Sequence, residues 1–75
     1  MEYKENVLDY EEYCKLRESV GWLLFPKEQT QKALTNSLYT VIAVKDSQTV
    51  GMGRLIGDGM YYTIVDIVVQ PDYQK

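Results

Sequence analysis

Residues 39–69 read YTVIAVKDSQTVGMGRLIGDGMYYTIVDIVV, and the fold is decided there. Apolar residues recur with a period of two, the period of a half-buried strand rather than a helix. Residues 39–45 form one strand and residues 49–57 a second, with Asp46-Ser47-Gln48 as the turn between them. Asp58-Gly59 is a hairpin signal. Residues 61–69 form a third strand, which Pro71 stops. In the middle strand Val50, Met52, Arg54 and Ile56 share one face. Gly51 and Gly53 lie on the other, where missing side chains let a helix or ligand approach closely.

Upstream the pattern changes. Residues 2–7 alternate loosely, with Tyr3 and Val7 as apolar anchors of a short strand. Asp9 stands three residues before Glu12, the spacing of a capping box, in which each side chain satisfies a backbone N–H near the other. Tyr13, Leu16 and Val20 then recur three and four apart, while Glu11, Lys15 and Glu18 face elsewhere. Gly21 follows where a helix end needs a left-handed residue. This predicts an amphipathic helix over 10–20. Trp22-Leu23-Leu24-Phe25 is a dense apolar cluster closed by Pro26. Residues 27–37 hold helix formers with a thin apolar stripe, mainly Ala33 and Leu34, and predict a second, mostly solvated helix. The order is β-α-α-β-β-β. The class is α+β: an antiparallel meander with two helices able to cover one face.

The last strand is the most apolar. Ile64, Val65, Ile67, Val68 and Val69 place apolar residues on both faces, as in strands buried on both sides. The six residues after it are too few to add a neighbour. One edge is therefore expected to lie open, long and hydrophobic, a template for association. Either the natural domain continues past Lys75 or another chain covers that edge. The alternative is that the last strand pairs with the first.

Composition bounds the chemistry. The chain has 75 residues, enough for one small domain that buries about 60% of its unfolded surface. It is 45% hydrophobic and 25% charged, which is a folding composition and not that of a disordered tail. There is no histidine, so imidazole chemistry and imidazole metal ligation are excluded for these residues. The single cysteine, Cys14, cannot form an internal disulfide or a multi-cysteine zinc site, and it points to a reducing compartment. No base accompanies it, so it reads as a packing residue rather than a nucleophile. Eight basic residues against eleven acidic ones give a net charge of -3 with no basic run, which argues against nucleic acid as a partner. No apolar stretch reaches the roughly 20 residues of a membrane span. Residues 1–10 are mixed and acidic rather than a secretory signal. A cytoplasmic protein is expected.

The G-x-G-R strand at 51–54, the hairpin at 58–59 and VDIVVQPDYQK at 65–75, in this element order, resemble the N-terminal half of a GCN5-related N-acetyltransferase (GNAT). In that family the fourth strand ends in an apolar-apolar-x-Pro-x-Tyr-Gln/Arg pattern and runs into Q/R-x-x-G-x-G/A, the loop that binds the pyrophosphate of acetyl-CoA. Residues 68–74 match that approach. Gln74 would be the first residue of the loop motif and Lys75 the second. The resemblance covers essentially the whole chain but about half of the family's domain, so residues 1–75 are expected to be a truncated N-acetyltransferase domain, inactive alone. Phosphates are held by clustered backbone N–H groups at a helix N-terminus. The glycines at 21, 51, 53, 57 and 59 supply turns and packing instead.

The resemblance implies the following roles. Ile67, Val68 and Val69 would hold the pantetheine arm of acetyl-CoA through their backbone, as in strand addition, with Gln74 and Lys75 leading into the phosphate loop. Asp66, the one charge inside the apolar strand, would be the general base for an amine; such a role needs a raised pKa or a relaying water. A solvated or hydrogen-bonded structural aspartate is the other reading. Arg54, Tyr61 and Tyr62 would line the acceptor site, or else pack across strands. Trp22 and Phe25 would wall it, or else serve as core. The acceptor would be a small-molecule or protein amine. No metal is implied. A different reading is a non-catalytic α+β module that dimerises, or binds a partner, through the 61–69 strand.

Overall fold

A computed structural model describes residues 1–74 and contains six regular elements and one short turn of helix. They are β1 (Glu2–Glu5), α1 (Tyr10–Ser19), α2 (Lys27–Thr35), β2 (Tyr39–Lys45), β3 (Gln48–Gly57) and β4 (Tyr62–Val69), followed by a 3-10 turn over Pro71–Tyr73. The strands form one antiparallel sheet in the order β1-β2-β3-β4. The α+β meander read from the sequence is therefore the fold. β4 pairs with β3 and not with β1, so among the described residues one of its edges has no strand beside it.

Local chemistry explains where the elements end. β1 stops at Glu5 rather than at residue 7 because Asn6 turns left-handed, with φ of 57°. Its Oδ1 accepts from the Thr40 N–H at 3.0 Å and its own N–H donates to the Thr40 carbonyl at 2.8 Å. α1 begins on the expected capping box: the Glu12 N–H donates to Asp9 Oδ1 at 2.8 Å and the Asp9 N–H to Glu12 Oε1 at 3.4 Å. It closes with Gly21 at φ of 76°, the Trp22 N–H donating to the Arg17 carbonyl and the Gly21 N–H to that of Glu18. This paired closure satisfies two carbonyls that the helix end would orphan. α2 ends at Thr35, two residues before its predicted limit, where Asn36 leaves helical geometry and Ser37 Oγ donates to the Ala33 carbonyl.

The β2–β3 turn is Asp46-Ser47 alone, both residues left-handed, with Lys45 paired to Gln48. That is a two-residue hairpin of the type that matches strand twist, formed without glycine. The β3–β4 connection is longer than its Asp-Gly signal suggests. Asp58 Oδ1 accepts from the Met60 and Tyr61 N–H groups at 2.8 and 2.9 Å, and Tyr61 lies in the loop rather than in β4.

The core lies on one face of the sheet. Tyr13, Cys14 and Leu16 of α1 pack against Ile42, Met52 and Val68, with Leu8, Val20, Leu34 and Val44 around them. Leu16 and Val50 are almost completely buried, each stabilising by about 1.5–3 kcal/mol. On the other face a Cβ at Gly51 would touch Ala43 and Val69, and one at Gly53 would touch Val41 and Ile67. The two glycines thus face the side opposite α1, and Ile67 of the neighbouring strand folds over Gly53. Two shallow apolar hollows of about 300 and 270 Å³ lie along this face, floored by Gly51 and Gly53 respectively.

Candidate functional site

The middle of β4 departs from regular pairing. Met52 pairs with Val68 and Arg54 with Val65, so Asp66 and Ile67 together oppose Gly53. This is a β-bulge, with Asp66 at φ of 55°. Aspartate is one of the few side chains that tolerates the left-handed region. The extra residue switches the alternation of side chains. Regular alternation puts Asp66 on the face of Tyr62, Ile64 and Val68; in the structure it joins Val68 on the helix face, while Ile64 lies in the open-face hollow with Leu55 and Ile67.

The bulge aims Asp66 into a cluster under α1. Arg17 Nη1 donates to Oδ1 at 2.9 Å, and Arg54 Nε and the Tyr13 hydroxyl donate to Oδ2, both at 2.9 Å. The side chains of Arg17, Arg54 and Asp66 are 11, 12 and 9% exposed. A carboxylate buried this deeply is tolerated because it is paired and hydrogen-bonded. Two guanidiniums against one carboxylate leave a net charge of +1. Arg54 also ties in α2, with Nη1 donating to the Ala33 carbonyl at 3.2 Å and to Ser37 Oγ at 3.0 Å. Burial pushes the Tyr13 hydroxyl above its usual pKa, and its hydrogen bond to Asp66 and that residue's charge add to the rise; the two arginines oppose it. A carboxylate offers about four acceptor positions, and three at Asp66 are taken.

Arg17 reaches further. Nε and Nη2 donate to the Leu23 carbonyl at 2.9 and 2.7 Å. Its guanidinium carbon lies 5.2 Å from the Trp22 ring centre and 5.3 Å from that of Phe25, within cation–π range. Trp22 and Phe25 are half-exposed and stand over this cation.

The structure thus brings Asp66, Arg54, Trp22 and Phe25 into one neighbourhood. Tyr62 is separate: it is exposed, and its hydroxyl donates to the Gly59 carbonyl at 3.0 Å within the hairpin loop. Tyr61 is exposed in the same loop. Ile67 is the second residue of the bulge and Val68 and Val69 follow it, Val68 with its side chain in the core and the other two on the open face. Gln74 donates Nε2 to the Val69 carbonyl at 2.7 Å. Lys75 lies outside the described residues. Arg17 and Tyr13 are the members that sequence reasoning missed as functional. Their i, i+4 spacing stacks them on one side of α1, and a charge next to Leu16 on the buried stripe was the available signal.

No family model matches the chain. It is 38% identical over 74 residues to an uncharacterized N-acetyltransferase, ycf52, of Pyropia yezoensis, and 36% identical over the same length to that of Porphyra purpurea. Each alignment covers 92% of this chain and 41% of the relative, so the chain spans about two fifths of those proteins. Among solved structures it matches a probable acetyltransferase of unknown function from meticillin-resistant Staphylococcus aureus, with a TM-score of 0.86 and 38% identity over 97% of this chain and 56% of that one. A GNAT-family acetyltransferase from Streptococcus pneumoniae matches with a TM-score of 0.82 and 32% identity over 99% and 55%.

Proposed function

From a chain that corresponds in sequence and fold to the N-terminal half of a GCN5-related N-acetyltransferase, we propose that residues 1–75 supply the acceptor wall and the carbonyl-holding strand edge of an enzyme that acetylates an amine from acetyl-CoA. The observation that carries this reading is the bulged, unpaired edge of β4 within a chain whose fold matches acetyltransferases along nearly its whole length.

Acetyl-CoA, as co-substrate, would supply an acetyl thioester. In the transfer the amine nitrogen would bond to the acetyl carbon, the carbon–sulfur bond would break, the sulfur would leave as thiolate, and the proton lost by the amine would pass to a base, Asp66 through a relaying water or solvent itself. An edge strand presents backbone N–H and C=O groups outward. Of Ile67, Val68 and Val69, the carbonyl of Val68 faces β3 and that of Val69 is held by Gln74 Nε2; the groups of Ile67 and Val69, which alternate away from β3, would suit the amides of a pantetheine arm once Gln74 gives way. An N–H turned out at the bulge would stabilise negative charge developing on the thioester oxygen. Trp22 and Phe25 would flank the incoming amine, and Arg54 would orient the carboxylate of Asp66. With three donors on it, Asp66 serves best to hold the bulge; as a base it would work through its remaining lone pair. The described residues fit the pantetheine arm only, since none forms a glycine cradle at a helix N-terminus for the pyrophosphate.

The test is a chimera in which residues 1–75 replace the matching half of the S. aureus protein, assayed for acetyl transfer to a panel of amines. Transfer is expected from the chimera. The isolated chain is expected to bind acetyl-CoA no more tightly than about 1 mM, a free energy of about -4 kcal/mol. Saturable micromolar binding by the isolated chain would contradict the division of labour proposed here.

A second reading concerns the isolated chain. Ile64 and Ile67 are 68 and 59% exposed beside the open edge, which favours self-association, or capture of a partner strand, through β4. Sedimentation should then show a concentration-dependent dimer that Ile64→Lys abolishes; a monomer at all concentrations rejects it.

A further inference from the structure

The 22–25 loop has little of its own to hold it. Trp22, Leu24 and Phe25 are half-exposed and Leu23 is 84% exposed. Among the described residues, the side-chain hydrogen bonds to it come from Arg17, which grips the Leu23 carbonyl with two donors and stands 5.2 and 5.3 Å from the Trp22 and Phe25 ring centres. The same guanidinium reaches Asp66 on the far side with its remaining nitrogen, Nη1. Asp66 in turn sits at the left-handed residue of the β4 bulge. One planar, rigid fork thus spans two elements more than forty residues apart in sequence. Lysine could not replace it, because a single ammonium cannot serve both carbonyl and carboxylate in those directions.

We propose that Arg17 is a positioning residue that couples the 22–25 loop to the β4 bulge, so that the two are ordered or loosened together. Its bearing on transfer rests on the reading above, in which the loop walls the acceptor and the bulge holds the thioester; the guanidinium then sets the distance between them. The coupling itself is a property of the chain and needs no substrate.

Coupling is reciprocal, so it can be read from both ends. In Asp66→Asn, which touches the loop only through Arg17, backbone order parameters at residues 22–25 should fall from about 0.85 toward 0.6. In Arg17→Lys, amide exchange of the β4 residues flanking the bulge should accelerate at least about tenfold relative to the Ile42 and Met52 amides, a differential that uniform destabilisation would not give. Loop order unchanged in Asp66→Asn, or bulge exchange accelerated no more than that of the core in Arg17→Lys, overturns the proposal. Should Asp66→Asn fail to fold, Arg17→Lys, which keeps a cation near the two rings, decides alone. None of these readouts involves acetyl-CoA, so a failed chimera and a failed coupling are separate results.

Discussion

Arg54 donates its Nε to Asp66 Oδ2 at 2.9 Å although its partner across the ladder is Val65. The pair meets only because the bulge inserts one residue and turns Asp66 toward the helices. Asp66→Ala would leave two buried guanidiniums facing each other without a counter-charge. Losing one partner of such a group costs about 3–5 kcal/mol, much of what a domain this small possesses. Urea denaturation should show that loss, and Arg54→Met in the Asp66→Ala background should recover part of it.

Gly57 is required by space. A Cβ there would collide with the backbone carbonyl of Tyr61. Gly57→Ala must open the β3–β4 loop and should destabilise by about 1–3 kcal/mol. Gly59→Ala meets no neighbour but keeps φ of 97°, so it pays in strain alone. Thermal melts of the two variants separate collision from strain, and equal stability to the parent in Gly57→Ala would contradict the loop geometry.

Leu16 anchors α1 on the sheet at 1% exposure. Leu16→Ala should cost about 2–5 kcal/mol, while Leu23→Ala, at a solvent-exposed position, should change stability by less than about 0.5 kcal/mol. Denaturant midpoints check both.

Stability should depend on pH at both extremes. The Tyr13 hydroxyl is held above 10.0 in the folded chain, by burial first and by Asp66 second. Its contribution is complete below about pH 10 and is lost as pH rises through the folded value. Asp58 is the opposite case. The N–H groups of Tyr61 and Met60 hold its carboxyl below 3.8, so its contribution is present above that value and fades as pH falls through the folded one. Phenolate absorbance and carboxyl shift titrations read the two groups, and Tyr13→Phe and Asp58→Asn should remove the respective dependence.

The alternation in 39–69 made the meander legible because each strand carries its own period. The capping box and Gly21 did the same for α1, since caps are written in adjacent residues. The Asp46-Ser47 turn lacked the glycine that would reveal its left-handed type. The bulge was invisible for a different reason: inserting Asp66 against Gly53 depends on which residues of two strands face each other, and no single strand records that. The face that regular alternation gives Asp66 is wrong for the same cause. Of the residues the resemblance assigns to one site, Trp22, Phe25, Arg54 and Asp66 meet through Arg17, while Tyr62 stays with the hairpin loop. Arg17 escapes the sequence because its partners beyond the helix lie at positions 22, 23, 25 and 66, a convergence that helix periodicity alone does not display.

The bulge has a further consequence for an exposed apolar strand. It cuts the free margin of β4 into two short runs on either side of Asp66, each too brief to seed a long in-register stack. Copies that met there would find no continuous rail along which to grow. While Arg17 and Arg54 hold the bulge, this apolar segment should not stack as one uninterrupted ribbon.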